Sequence, residues 1–205
     1  PDAVALADPR LFEGLAERVT AFATNALVVG YDPASDRAAA LRSDWAATVQ
    51  RSAVAVGRTD PQRDPLGYRT VMALDLAASS GLLDAKRARE NARIFPETEL
   101  GNVLERGDLD AAFLYRNMAV ERDLPYVDLP DRIDFSTPAK ADSYARASYD
   151  LDQRTVRGSP IRYGATALTA AGEPWIERLT TARDRLREAG FAVPEGYPRR
   201  IAPTA

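Results

Sequence analysis

Two stretches of the sequence set a carboxylate at the start of a helix, where a small anion could be held. In the first, spanning 59–67, Asp64-Pro65 precedes the run Leu66-Gly-Tyr-Arg-Thr-Val-Met-Ala-Leu-Asp-Leu76. Asp64 is the expected N-cap and Pro65 the expected first helical residue, because proline has no N–H to lose there. In the second, Pro96-Glu-Thr-Glu-Leu100 opens a capped helix expected over about 99–106 and stopped near Gly107. The first turn of a helix presents N–H groups with no intrahelical acceptor, and the macrodipole adds positive potential. Both effects favour an anion. Spacing alone leaves a plainer alternative open, in which Asp64 only caps its helix and Glu97 only balances a dipole.

Composition narrows the chemistry. The 205 residues include 27 basic and 30 acidic side chains, a formal charge of −3, with no histidine and no cysteine. This excludes Ser-His-Asp and Cys-His catalysis, zinc fingers, thiolate redox centres and disulfides. A metal could be held only by oxygen ligands. The basic residues are arginines apart from Lys86 and Lys140, and charge is balanced along the chain, so a nucleic-acid surface is not expected. No apolar stretch approaches the roughly 20 residues of a membrane span. The first ten residues are not a charged segment followed by an apolar one, so no signal peptide is expected in them.

The elements that must position these residues alternate between helical and strand-like patterns, which predicts an α/β fold. Apolar spacing predicts helices over 9–22, 43–49 (capped by Ser43 or Asp44), 66–76 and 173–189, with a charged surface helix in 84–93. Strands are expected over 25–31, 53–56, 110–115, 126–129 and 161–168. Trp45 and Trp175 are expected to pack within their helices. Arg183-Asp-Arg-Leu-Arg187 reads as a solvated face, and Tyr68 and Arg69 are expected to pack or pair against the adjacent strand. Arg58 and Arg63 flank the first loop, where they either balance an anion or stand exposed.

Seven segments, in fixed order along nearly the whole chain, resemble one family. Gly57-Arg-Thr-Asp-Pro-Gln-Arg-Asp-Pro-Leu-Gly-Tyr-Arg69 resembles the DPxGYR loop of molybdate/tungstate-binding proteins, the solute receptors of ABC oxyanion importers. Pro1-Asp-Ala-Val-Ala-Leu-Ala-Asp-Pro-Arg10 is similar to the family's PDVxxSADxR segment, and Thr24-Asn-Ala-Leu-Val-Val-Gly-Tyr-Asp-Pro33 to its strand crossing between lobes. Pro96-Glu-Thr-Glu-Leu100 looks like its KETDLL helix start, and Gly107-Asp-Leu-Asp-Ala-Ala-Phe-Leu-Tyr-Arg-Asn-Met-Ala-Val120 like its GELDYAFxYKSVA segment. Tyr126-Val-Asp-Leu-Pro-Asp-Arg-Ile-Asp134 and Gly158-Ser-Pro-Ile-Arg-Tyr-Gly164 match later segments.

The resemblance implies a two-lobed, type II periplasmic-binding-protein-like α/β fold. Residues 30–167 would form the second lobe, and 1–29 with 168–205 a remnant of an incomplete first lobe. It implies an oxyanion site made of Asp64, the backbone N–H of Leu66, Glu97 with Thr98 beside it, and Tyr115. Two carboxylates repel sulfate or phosphate. The resemblance implies that Asp64 and Glu97 instead donate oxygen to a d⁰ molybdenum or tungsten centre, expanding its coordination from four toward six. Hard oxygen ligands suit such an ion. No catalysis and no cofactor beyond the ligand are implied. The implied partner is an ABC permease, the implied location extracytoplasmic, and a monomer is expected. The family's signal sequence, lipid anchor and two further serine-bearing loops lie upstream of its counterpart of Pro1, so weak binding is expected of this half-site. Three alternatives stand beside this reading: the effector domain of a regulator, a non-binding relative, and an enzyme pairing Asp64 with Glu97 as a glycosidase does.

Overall fold

The computed structural model describes residues 1–203, with nothing to be said of the Arg10 side chain. The chain forms two compact units, Pro1–Ala26 with Pro160–Ala205, and Leu27–Ser159. The boundaries therefore fall at 26/27 and 159/160 rather than at 29/30 and 167/168. The reason lies in strand pairing, since the strand over 162–167 bonds only to strands of the first unit.

The first unit opens with β1 (Ala3–Leu6), a 3₁₀ turn (Pro9–Phe12) and β2 (Val19–Thr24). The helix expected over 9–22 is absent. Gly14 at φ 79 breaks it, and Leu11 and Leu15, which a helix would have buried, are 50% and 57% exposed. Val19, Ala21 and Ala23 instead alternate in a strand, which the β-branched Val19, Thr20 and Thr24 favour.

The second unit follows. It contains β3 (Leu27–Tyr31), α1 (Ala38–Ser43), α2 (Trp45–Val49), β4 (Val56–Thr59), α3 (Pro65–Ser79), α4 (Ala85–Asn91) and β5 (Ala92–Phe95). Next come α5 (Glu97–Glu105), β6 (Ala111–Tyr115), α6 (Arg116–Glu121), β7 (Tyr126–Asp128), α7 (Ala141–Tyr144) and a hairpin of β8 (Ser148–Leu151) with β9 (Arg154–Arg157). The chain then returns to the first unit with β10 (Arg162–Ala167), α8 (Glu173–Thr181), α9 (Arg183–Glu188) and β11 (Arg199–Ile201).

In the first unit β10 is the central bond-maker. It pairs antiparallel with both β1 and β2, in the sheet order β1-β10-β2-β11. Its Ala165 joins Phe22, Ile176, Leu186, Val193 and Tyr197 in one buried cluster. The long helix expected over 173–189 is broken at Ala182, whose ψ of 46° is not helical, and Gly190 at φ 84 ends α9. Trp175 does not pack inward as expected but is 47% exposed.

The second unit is built on a five-stranded sheet in the order β5-β4-β6-β3-β7. β4 runs parallel to β5 and β6, while β3 runs antiparallel to β6 and β7. All five residues of β3 and of β6 are buried, as expected of strands covered on both faces. β4 starts three residues later than expected, because 51–54 make a turn, with the Val54 N–H donating to the Arg51 carbonyl. Asp44, one of the two expected caps, accepts from the Ala47 N–H at 2.9 Å and starts α2. β5 follows α4 where only a surface helix was expected.

Candidate functional site

Three parallel strands end on one edge of the second unit's sheet. β4 ends at Thr59 and β5 at Phe95, which are paired in register, and β6 ends at Tyr115. The chain leaves β4 through α3 to reach β5 on one side, then leaves β5 through α5 to reach β6 on the other side of β4. Right-handed crossovers in opposite directions place α3 and α5 on opposite faces. Such a reversal leaves a crevice beyond the C-terminal strand ends, where α/β sheets take ligands. Asp64, Leu66, Glu97, Thr98 and Tyr115 all lie at that edge.

Asp64 is the N-cap of α3 and Pro65 its first residue, as expected. Asp64 Oδ1 accepts from the Gly67 N–H at 2.8 Å and from the Thr59 hydroxyl at 2.8 Å. Gly67 is required by crowding: a Cβ there would sit 2.5 Å from the carbonyl carbon and oxygen of Asp60 and 2.6 Å from Pro61 N. The Leu66 side chain is fully buried, and its backbone N–H favours the Asp64 carboxylate.

Glu97 is the first residue of α5 and half-buried; Thr98, the second, is exposed. The expected side-chain cap is missing, since the N-cap is Pro96. The glutamate instead presents its charge at an open helix start.

Tyr115, buried at the end of β6, accepts a hydrogen bond of 2.7 Å from Arg69 Nη1. Arg69 is only 2% exposed, and its guanidinium lies 5.7 Å from the Tyr68 ring centre and 5.9 Å from that of Tyr115. Thr59 and Arg69 are thus tied to the site by bonds that sequence reasoning did not assign. Arg63 is exposed and pairs with Asp60 at 3.4 Å, and Arg58 donates to the Thr59 carbonyl at 3.2 Å.

The electrostatics follow from this packing. Burial pushes the Asp64 carboxyl above the usual aspartate range, against the opposing pull of its Thr59, Gly67 and Leu66 bonds. Burial also raises Glu97, the Asp64 charge raises it further, and the Arg69 cation pulls it back. Both carboxylates are thus partly removed from water, and the charge of Asp64 acts on Glu97, so each costs stability when ionised.

Residues 1–192 match the family model for bacterial extracellular solute-binding proteins. The chain belongs to that family. A candidate molybdenum-binding protein of an ABC transporter from Haloferax volcanii is 46% identical over 219 residues, covering 100% of this chain and 72% of the relative. The molybdate/tungstate-binding protein WtpA of Thermococcus kodakarensis is 31% identical over 180 residues, covering 73% of this chain but 51% of its own length. Among solved structures, the periplasmic molybdate-binding protein of Azotobacter vinelandii aligns with a TM-score of 0.60 at 17% identity, over 95% of this chain and 79% of that one. That likeness establishes the fold expected from sequence, an α/β fold of the periplasmic-binding-protein kind. Among the described residues, no helix of this solute-binding chain is long and apolar enough to cross a membrane.

A raised carboxyl gives the solute-binding chain a pH signature. Where the native pKa exceeds the unfolded one, the native state holds the proton more readily. Stability then falls as pH climbs from the ordinary carboxylate range, about 4, to the raised value, and stays low above it. Glu97→Gln removes one of the two charges. It should raise the melting temperature at pH 7 by about 1–2 °C, since screening keeps such a half-exposed charge below about 1 kcal/mol. The gain should vanish below pH 4. A melting temperature lowered at pH 7, by calorimetry or circular dichroism, would contradict it.

Proposed function

We propose that this chain binds molybdate or tungstate as the extracytoplasmic solute receptor of an ABC importer, and that it performs no catalysis. The observation that supports the reading is that Asp64 caps α3 and Glu97 opens α5 beyond the paired strand ends Thr59 and Phe95, where the charge of one acts on the other. A sulfur or phosphorus oxyanion would meet only repulsion from two carboxylates. A d⁰ metal centre can take their oxygens as additional ligands, while the N–H groups of the helix starts and the Tyr115 hydroxyl hold its oxo groups. Asp64 and Glu97 would be the metal-contacting pair, with the Leu66 N–H, Thr98 and Tyr115 around them. The names of the Haloferax and Thermococcus relatives support this ligand class. No cofactor is needed, the partner is a permease, and the chain acts as a monomer.

Calorimetric titration of the 205-residue chain with tungstate, molybdate and sulfate tests the reading. Tungstate and molybdate should bind one per chain and sulfate should not. X-ray absorption on the tungstate complex should show six-coordinate tungsten. Sulfate binding as tight as tungstate, or tetrahedral tungsten in the complex, would overturn it.

A further inference from the structure

We infer that Arg69 is a positioning residue, fixing the Tyr115 hydroxyl as a hydrogen-bond acceptor on one side so that its proton is directed to the bound oxyanion. The inference rests on the proposed oxyanion site. It begins from a side chain that is costly to bury. Arginine stays charged at any pH the protein meets, and a guanidinium removed from water needs partners of good geometry. Arg69, at 2% exposure, is among the largest fully buried side chains of the chain, and it lies five residues beyond the Asp64 cap. Its Nη1–H reaches across from α3 to the end of β6 and donates to the Tyr115 oxygen at 2.7 Å, a short charge-assisted bond. The guanidinium also stands beside the rings of both Tyr68 and Tyr115, which restrains its position.

The consequence is one of counting. A phenol has one O–H to give and lone pairs to receive. Because a permanent donor occupies the Arg69 side of the oxygen, the hydroxyl cannot turn its proton that way. Any acceptor of that proton lies in another direction, and in the proposed complex an oxo group of the ligand takes it. Without Arg69 the hydroxyl rotor could turn to act as an acceptor toward the crevice, presenting a lone pair to an anion. A lysine would keep the charge but not the planar fork.

Tungstate titration of Arg69→Gln, Arg69→Lys, Tyr115→Phe and the Gln/Phe double variant tests this, together with the ligand-free ¹³Cζ resonance of Tyr115. Arg69→Gln and Tyr115→Phe should each weaken tungstate about tenfold, the scale of one hydrogen bond. The double variant should be weaker by at most about threefold more, because both changes remove the same interaction. Arg69→Lys should recover part of the loss, and only where Tyr115 is present. The ¹³Cζ resonance should move in Arg69→Gln. Folded Arg69→Gln with wild-type affinity, or losses that simply multiply in the double variant, would overturn the inference. Should Arg69→Gln not fold, Arg69→Lys decides: a loss of equal size in the Tyr115→Phe background overturns it. If the wild-type chain takes no tungstate, the reading of the site fails. The ¹³Cζ comparison still tests Arg69 itself, an unmoved resonance overturning its role.

Discussion

Asp64→Asn should leave the fold intact and remove the ligand. Asparagine caps a helix as well as aspartate does, and its Oδ1 can accept from the Gly67 N–H and the Thr59 hydroxyl as Asp64 Oδ1 does. The melting temperature should therefore hold, or rise slightly at neutral pH once a half-buried charge is gone. A neutral amide oxygen is a much weaker donor to a high-valent metal. Tungstate affinity should fall at least about 100-fold, equivalent to about 2.8 kcal/mol. Glu97→Gln should behave alike toward the ligand. Asp64→Ala should lose both cap and ligand, adding about 1 kcal/mol of instability. Calorimetry with tungstate separates the cases, and wild-type affinity in both Asp64→Asn and Glu97→Gln would eliminate carboxylate coordination. Any residual sulfate binding should strengthen in the same variants, because removing a carboxylate removes repulsion.

Gly67→Ala should damage the site from behind, with a sign opposite to the usual one. In an ordinary helix interior, replacing glycine by alanine gains up to about 1 kcal/mol. Here the added methyl would lie 2.5 Å from the Asp60 carbonyl. That neighbour is backbone, so the 60–63 loop must move. Overpacking of this kind costs about 1–3 kcal/mol, which exceeds the helical gain at most of that range. A melting temperature lower by about 2–6 °C is expected. Because the Gly67 N–H and Thr59 fix Asp64 Oδ1, displacing the loop should also weaken tungstate more than tenfold. An unchanged or raised melting temperature with unchanged affinity would show that the loop absorbs the methyl freely.

What could be read from residues alone was what local chemistry decides. Asp64-Pro65 announces its helix because capping and the missing proline N–H act within one turn. The buried runs of β3 and β6 are equally local in their signal. The 9–22 segment was misread because its apolar spacing satisfies a helix, while its partner in space is β10, supplied by distant sequence. The pairing of Arg69 with a neighbouring strand is legible in the sequence, but its partner Tyr115 is not, for a related reason. An amphipathic pattern presumes one buried face, yet Leu66 to Leu74 are buried without interruption. Nothing in the spacing marks which side chain there reaches Tyr115. The capped start expected for α5 failed because Pro96 stands at the N-cap, leaving Glu97 and Thr98 inside the first turn.

The pairing of β10 bears on the order in which the protein can be made. β1 and β2 do not bond to each other; both wait for β10, which leaves the ribosome about 140 residues after β2. At typical translation speeds that is an interval of about 7–30 s. Leu27–Ser159, by contrast, is one uninterrupted stretch and can finish its sheet during that interval. Through that interval β1 and β2 lack the ladder partner they share in the folded chain, and water hydrogen-bonds their backbone groups instead. A strand kept waiting for a partner so far along the chain is open to pairing with another chain, so a delay in synthesis between β2 and β10 favours aggregation over folding.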